Sequence, residues 1–152
     1  MTARLAAVAQ LAVPFIWLGM VLAISFLETP LKFRAPGITV PLGLGIGRLV
    51  FRALNGAELV LAVTLTLALL LAGNAGEVNL GGATTTVLIA IWTLLLVQVA
   101  VLRPRLDRRA HRLIHGQNPP RSHQHLAYVA AECAKVVLLA TLGILLAHRL
   151  MP

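Results

Sequence analysis

Two groups of polar and charged residues recur at helical spacing within stretches that are otherwise apolar. The first group is Arg48, Arg52, Asn55 and Glu58. The second group is His125, Tyr128, Glu132 and Lys135. The intervals are 4, 3 and 3 residues in the first group and 3, 4 and 3 in the second, so each group forms one stripe along a helix. Carboxylates and cations inside a membrane could bind a charged ligand or exchange protons with it.

The two stripes predict specific partners for these charges. Both stripes begin at the same end of their helices, so position along each helix converts to depth at about 1.5 Å per residue. An unpaired charge at the bilayer centre costs roughly 2.5–3.5 kcal/mol on insertion scales. We therefore expect Glu58 to pair with Lys135, and Arg52 to pair with Glu132.

Further polar side chains fall at similar predicted depths. Trp17 and Trp92 lie near mid-membrane, where an indole N–H needs an acceptor such as a carboxylate. Ser25, Thr93 and Gln98 extend the polar lining, and Glu28 closes it. The predicted ligand-binding set is Glu58, Glu132, Lys135, Arg52, Arg48, Asn55, Tyr128, Trp17, Trp92 and Glu28. The alternative is that these groups only join helices, with contributions often near 0.6 kcal/mol each.

A histidine-rich segment allows a metal hypothesis. The candidate ligands are His111, His115, His123 and His125, which include an i, i+4 pair and a His-x-His pair. Neighbouring arginines repel cations, and the sequence lacks the Glu-x-x-His pairs of a di-iron bundle. A membrane-embedded metal or redox enzyme is therefore only an alternative; no cofactor and no catalytic residue are assigned.

Four long apolar segments must position these residues. The 152 residues are 59% hydrophobic and 12% charged, with a mean hydropathy of +0.88, which is too apolar for a soluble domain. A membrane-spanning helix needs about 20 apolar residues. The sequence predicts an all-α integral membrane protein, a single domain over 1–152, in which four transmembrane helices form a bundle. Their predicted ranges are 5–27, 47–72, 83–102 and 125–147.

The connections between these segments differ in composition. Residues 28–47 are rich in proline and glycine, which predicts an irregular interfacial or re-entrant segment. Residues 103–124 are basic and predict a short helix that ends at Gly116 and Pro119–Pro120. The single cysteine excludes an intramolecular disulfide.

Positive charge is concentrated in two of the connections. Of the 13 lysines and arginines, ten lie in or beside the first and third connections: Lys32, Arg34, Arg48, Arg52, Arg103, Arg105, Arg108, Arg109, Arg112 and Arg121. The positive-inside rule predicts that both basic loops are cytoplasmic and both termini extracytoplasmic. The expected location is a bacterial inner (plasma) membrane. The expected partners are the bilayer, anionic lipid headgroups at the basic loops and further copies of the chain, with no nucleic acid.

An offset of 74 residues aligns parts of the two halves. It places Ala57-Glu58 on Ala131-Glu132 and Arg34 on Arg108. This predicts parallel hairpin repeats in which Glu58 and Glu132 are symmetry mates.

Several short motifs carry a resemblance to a known family. They are Trp17-Leu18-Gly19, the Pro30/Phe33/Arg34 cluster, Gly47-Arg48 with Phe51, and Leu102-Arg103-Pro104 with Leu106-Asp107. In these motifs the chain resembles small four-span bacterial membrane proteins of unassigned function, the transmembrane protein 205-like proteins. The resemblance implies four helices and transfers no catalytic residue.

The sequence therefore favours a small transporter or ligand-binding membrane protein with a charged site in the cytoplasmic half of the bundle. The second interpretation is an accessory or lipid-binding protein in which the ion pairs are structural.

Overall fold

The computed structural model describes residues 2–74, 81–117 and 123–150, and these residues contain helices but no strand. Helix α1 spans Thr2–Val21, and a π-helical segment, Leu22–Glu28, continues it into the single turn α2, Thr29–Lys32. Helix α3 spans Val40–Asn74. Helix α4, Gly82–Val97, continues through a second π-helical segment, Gln98–Leu102, into α5, Arg103–Ile114. Helix α6 spans Gln124–Leu150.

Four helical segments of the described chain are long and apolar enough to cross a membrane. Many large apolar side chains point outward on them, including Leu49, Val60 and Val137, each more than 60% exposed. A soluble protein rarely exposes so much apolar surface. The described residues confirm the predicted all-α fold and the four helices long and apolar enough to span a membrane, and these helices indicate a membrane protein.

The helices pack around α1 and α6. Helix α1 contacts α3 and α6, α4 contacts α6, and α5 contacts the beginning of α3. The core between them contains Trp17, Leu65, Leu95 and Leu139. Helix α1 approaches α6 closely at Gly143, where an added Cβ would lie 2.8 Å from the Phe15 ring.

The first connection is more regular than predicted. Helix α3 begins at Val40, so Gly43, Gly45 and Gly47 of the predicted irregular segment lie within it, while Gly37 precedes it with a φ of 78°. Pro41 falls in the first turn, where its missing N–H has no intrahelical partner to lose. A side chain at Gly43 would clash with the Phe33 ring, and one at Gly47 would lie 3.0 Å from Lys32 Nζ. The glycines thus let the preceding segment pack directly on the helix.

The third span also extends further than predicted. The basic helix is not separate, because the π-helical turn joins α5 to α4 without a break. The helix ends after Ile114, and Gly116 adopts a φ of 76°, a left-handed conformation typical of a glycine that follows a helix. Pro119–Pro120 and Arg121 lie outside the described residues.

Candidate functional site

Three charged side chains meet at the centre of the bundle. Lys135 Nζ lies 2.5 Å from Glu58 Oε1 and 3.2 Å from Glu132 Oε1. Glu58 and Lys135 are fully buried, and Glu132 is 1% exposed. The predicted contact between Glu58 and Lys135 is therefore present. We call Glu58, Glu132 and Lys135 the buried triad.

Glu58 receives a hydrogen bond from α1. Trp17 Nε1 donates to Glu58 Oε1 over 3.0 Å, which is the carboxylate acceptor predicted for this indole. The same prediction is wrong for Trp92, whose Nε1 donates to Thr66 Oγ1 over 3.0 Å. The Trp92 indole on α4 faces α3 at the level of Thr66, so its acceptor is a hydroxyl and not a carboxylate.

Glu132 accepts hydrogen bonds from the two π-helical segments as well as from Lys135. Ser25 Oγ donates to Glu132 Oε2 over 3.1 Å, and Gln98 Nε2 donates to Glu132 Oε1 over 2.8 Å. Each donor lies in one of the π-helical segments, and such segments are rare and frequently found at functional sites. Thr93, predicted to join this lining, is exposed and donates to the Ile89 carbonyl.

The predicted pairing of Arg52 with Glu132 is wrong. Arg52 is exposed, and the Glu132 carboxylate is bound by Ser25, Gln98 and Lys135. Arg52 lies six residues before Glu58, which places it about 120° away around the helix. On this part of α3 the side chain that faces α6 is Asn55, not Arg52, and Tyr128 Oη donates to Asn55 Oδ1 over 3.5 Å.

The members of the buried triad contact one another directly. Among the described residues, Glu58 Oε2 and Gln98 Oε1 have no hydrogen-bond partner. Glu58 and Glu132 both contact the Lys135 ammonium, while the repeat that would relate them stays a prediction.

A pocket of about 220 Å³ lies at the end of the bundle where α3 and α6 begin. Its walls come from α2, α3, α5 and α6, and most of them are apolar, with Phe33 and Phe51 among the lining residues. The charged lining residues are Lys32, Arg48, Arg103, Asp107 and Arg109, with His125 beside them. Four cations and one carboxylate thus line the pocket, and one of the cations, Lys32, is paired with Glu28 outside the lining.

The single carboxylate is shared between two arginines. Asp107 Oδ1 lies 3.6 Å from Arg48 Nε and 3.3 Å from Arg103 Nη2. Arg103 Nη2 also donates to the Arg48 carbonyl over 2.7 Å, and its guanidinium lies 5.5 Å from the Phe51 ring centroid. Arg103 Nε is buried and has no hydrogen-bond acceptor in the described part of the chain, and buried Arg48 Nε has only the 3.6 Å ion-pair contact with Asp107 Oδ1. These contacts hold two guanidinium groups at the pocket with unused donors.

Tyr128 connects the pocket with the buried triad. It lines the pocket, is only 4% exposed, packs edge-on against Phe51, and precedes Glu132 by one turn of α6. Glu28, predicted to close the charged layer, instead lies 3.3 Å from Lys32 Nζ and outside the pocket lining. The sequence did not predict the pocket. The one feature that could have pointed to it is the i, i+4 spacing of Arg103 and Asp107, which is typical of an ion pair on a helix.

The predicted histidine metal site is not assembled. The rings of His111 and His115 lie 4.1 Å apart, but His115 Nδ1 is directed at the His111 carbonyl over 2.8 Å. His123 and His125 are exposed at the beginning of α6. Within the described ranges, no group of three or more His, Cys, Asp or Glu side chains is placed to hold a metal ion.

No family model, curated protein or solved structure matches the chain. The resemblance to the transmembrane protein 205-like proteins stays a prediction.

Proposed function

We propose that this chain is a small ligand-binding membrane protein whose ligand is an amphiphile with an anionic headgroup, bound in the basic pocket. One observation carries the proposal: Arg48 and Arg103 share the single carboxylate of Asp107. An anion would balance their remaining positive charge, and guanidinium groups bind phosphates and carboxylates through paired hydrogen bonds.

The size and walls of the pocket support an amphipathic ligand. Its volume of about 220 Å³ is below the roughly 300–1,000 Å³ of drug-sized sites. It therefore suits a headgroup and the first atoms of a chain, with the rest lying along the apolar outer surface. Phe33 and Phe51 supply apolar contacts beside the cations.

The location of the pocket agrees with this ligand class. It lies at the end of the bundle that carries both basic connections, and the positive-inside rule assigns this end to the cytoplasm. Basic segments at that surface attract anionic lipid headgroups. The protein would then act at the inner face of a bacterial plasma membrane.

Binding to purified protein in detergent micelles tests the proposal. Short-chain phosphatidic acid and phosphatidylglycerol should bind more tightly than phosphatidylcholine of equal chain length. Inorganic phosphate alone should bind weakly, because it lacks the apolar part. Equal binding of the anionic and zwitterionic lipids would contradict the proposal, and tight binding of phosphate alone would point to a soluble anion.

Arg103→Gln should weaken binding of the anionic lipid by about ten- to a hundredfold, because a hydrogen bond to a charged group contributes about 1.5–3 kcal/mol. Arg105→Gln is the matched control, since Arg105 lies on the same helix, is exposed and does not line the pocket. Equal losses in the two variants would indicate only a general effect of net charge.

Transport is a second candidate, favoured by the position of Tyr128 between the pocket and the buried triad. If the triad takes part in moving the ligand, Glu132→Gln should abolish flux through proteoliposomes while headgroup binding in detergent persists. A variant with unchanged flux would leave the lipid-binding, accessory role.

A further inference from the structure

The buried triad has an uneven charge count. It contains two carboxylates, Glu58 and Glu132, and one ammonium group, Lys135. All three side chains are between 0% and 2% exposed. With both glutamates ionised, the triad would therefore hold one net negative charge away from water.

The side chains around the triad do not supply a second cation. Helix α1 contributes Trp17, the π-helical segments contribute Ser25 and Gln98, and α6 contributes Tyr128 one turn away. On α3, the residue one turn before Glu58 is Asn55. In the described part of the chain, Lys135 is the only cation within 4.0 Å of either carboxylate.

We infer that the buried triad is a binding site for one proton, held by the Glu58 carboxyl group. An isolated charge in an apolar interior costs far more than its neutral form, so a buried group neutralises when no partner is present. One proton makes the triad neutral: one carboxylic acid, one carboxylate and one ammonium.

The hydrogen bonds assign the proton to Glu58. Both oxygens of Glu132 accept hydrogen bonds, from Ser25, Gln98 and Lys135, and such donors stabilise a carboxylate. Glu58 Oε1 accepts from Trp17 and Lys135. Glu58 Oε2 has no hydrogen-bond partner among the described residues. Of the four carboxyl oxygens, it is therefore the one at which negative charge is least stabilised by hydrogen bonds. Binding adds H⁺ to this oxygen, and release restores the carboxylate.

This site is independent of the lipid proposal, since the pocket and the triad have different residues. A proton held at this point would give the bundle a pH-sensitive element at mid-depth, next to the tyrosine that lines the pocket.

Infrared spectroscopy counts the protons directly. A buried protonated carboxyl group gives a C=O stretch that is separate from carboxylate bands and shifts on exchange into D₂O. Folded wild-type protein in nanodiscs at neutral pH should show one such group. Glu58→Gln and Glu132→Gln should each abolish the band, because either change leaves one carboxylate for one ammonium. Lys135→Met should double it.

The control is Glu28→Gln, which removes a carboxylate outside the triad and should leave the band unchanged. If Lys135→Met fails to fold, the comparison of Glu58→Gln with Glu28→Gln still decides. A wild-type protein without the band, or a band that survives in Glu58→Gln, would overturn the inference. A band that appears only after sodium and potassium are removed would also overturn it and would assign the site to a metal cation.

Discussion

At the scale of single residues, Lys135 holds the buried triad together because its ammonium contacts both carboxylates. We expect Lys135→Met to destabilise the protein by about 3–5 kcal/mol, since it leaves two buried carboxyl groups without a cation, and these become neutral only by binding a second proton. Glu58→Gln should cost only about 1–2 kcal/mol, because Glu132 and Lys135 remain paired. Unfolding in detergent, followed by tryptophan fluorescence, measures both values.

The double variant Glu58→Gln with Lys135→Met should be more stable than Lys135→Met alone, since it leaves one buried carboxyl group to be protonated instead of two. Val137→Met controls for the added methionine, because Val137 is 64% exposed on the same helix. A Lys135→Met variant as stable as Glu58→Gln would show that the ammonium is not shared.

Residue spacing predicted part of this site. The stripe on α6 placed Glu132 and Lys135 on one face, and both are buried on that uninterrupted α-helix. On α3 the stripe included Arg52, which the structure places outside the buried face. Residues spaced by three and four positions cover a broad strip of the helix surface, so the strip includes positions beside the buried face. Only the packing of the neighbouring helices decides which side of the strip is buried.

At the scale of helices, the two π-helical segments could not be predicted. Their sequences, LAISFLE and QVAVL, are mostly apolar and do not distinguish a π-helix from an α-helix. The two segments are recognised only in the structure, where Ser25 and Gln98 both donate to Glu132. The pocket was missed for a related reason. Its walls come from four separate helices, so no single window of sequence contains it.

The close approach at the beginning of α3 leads to a prediction on the pocket. Gly43→Ala should lower the affinity for the anionic amphiphile by roughly fivefold, because the new methyl group meets the Phe33 ring and overpacking costs about 1 kcal/mol or more. Binding of short-chain phosphatidic acid to the variant measures the loss.

Gly45→Ala is its control, because a Cβ at Gly45 meets nothing within 4 Å. Both changes alter helix propensity equally, by about 1 kcal/mol. If both variants bind like the wild-type protein, Phe33 does not shape the site.

At the scale of the whole molecule, the distribution of basic residues predicts topology. Reporters inserted between Arg105 and His115 should be cytoplasmic, and a reporter fused after Met151 should be extracytoplasmic. Protease protection of tagged protein in sealed vesicles tests this arrangement. A cytoplasmic carboxyl-terminal reporter would move the basic pocket to the outer face and contradict a role at inner-leaflet headgroups.

Assembly into oligomers also stays a prediction. The third candidate span has 17% of its most apolar window buried within one chain, compared with 39% for each of the second and fourth. Native mass spectrometry from detergent should therefore detect more than one copy if α4 provides the contact. A monomer in mild detergent would leave this surface facing lipid.

The position of Lys135 on α6 has a consequence for biogenesis. The ribosome produces α3 long before α6, so Glu58 enters the bilayer while its ammonium partner is still unsynthesised. During that interval Trp17 is the one described partner that has already been made. Proteins synthesised from the amino terminus fold in that order where they can, but this bundle cannot complete its centre until the last of its four long helices inserts. A nascent chain stalled before α6 should therefore remain open to membrane chaperones and quality-control proteases, and release of α6 should end that exposure.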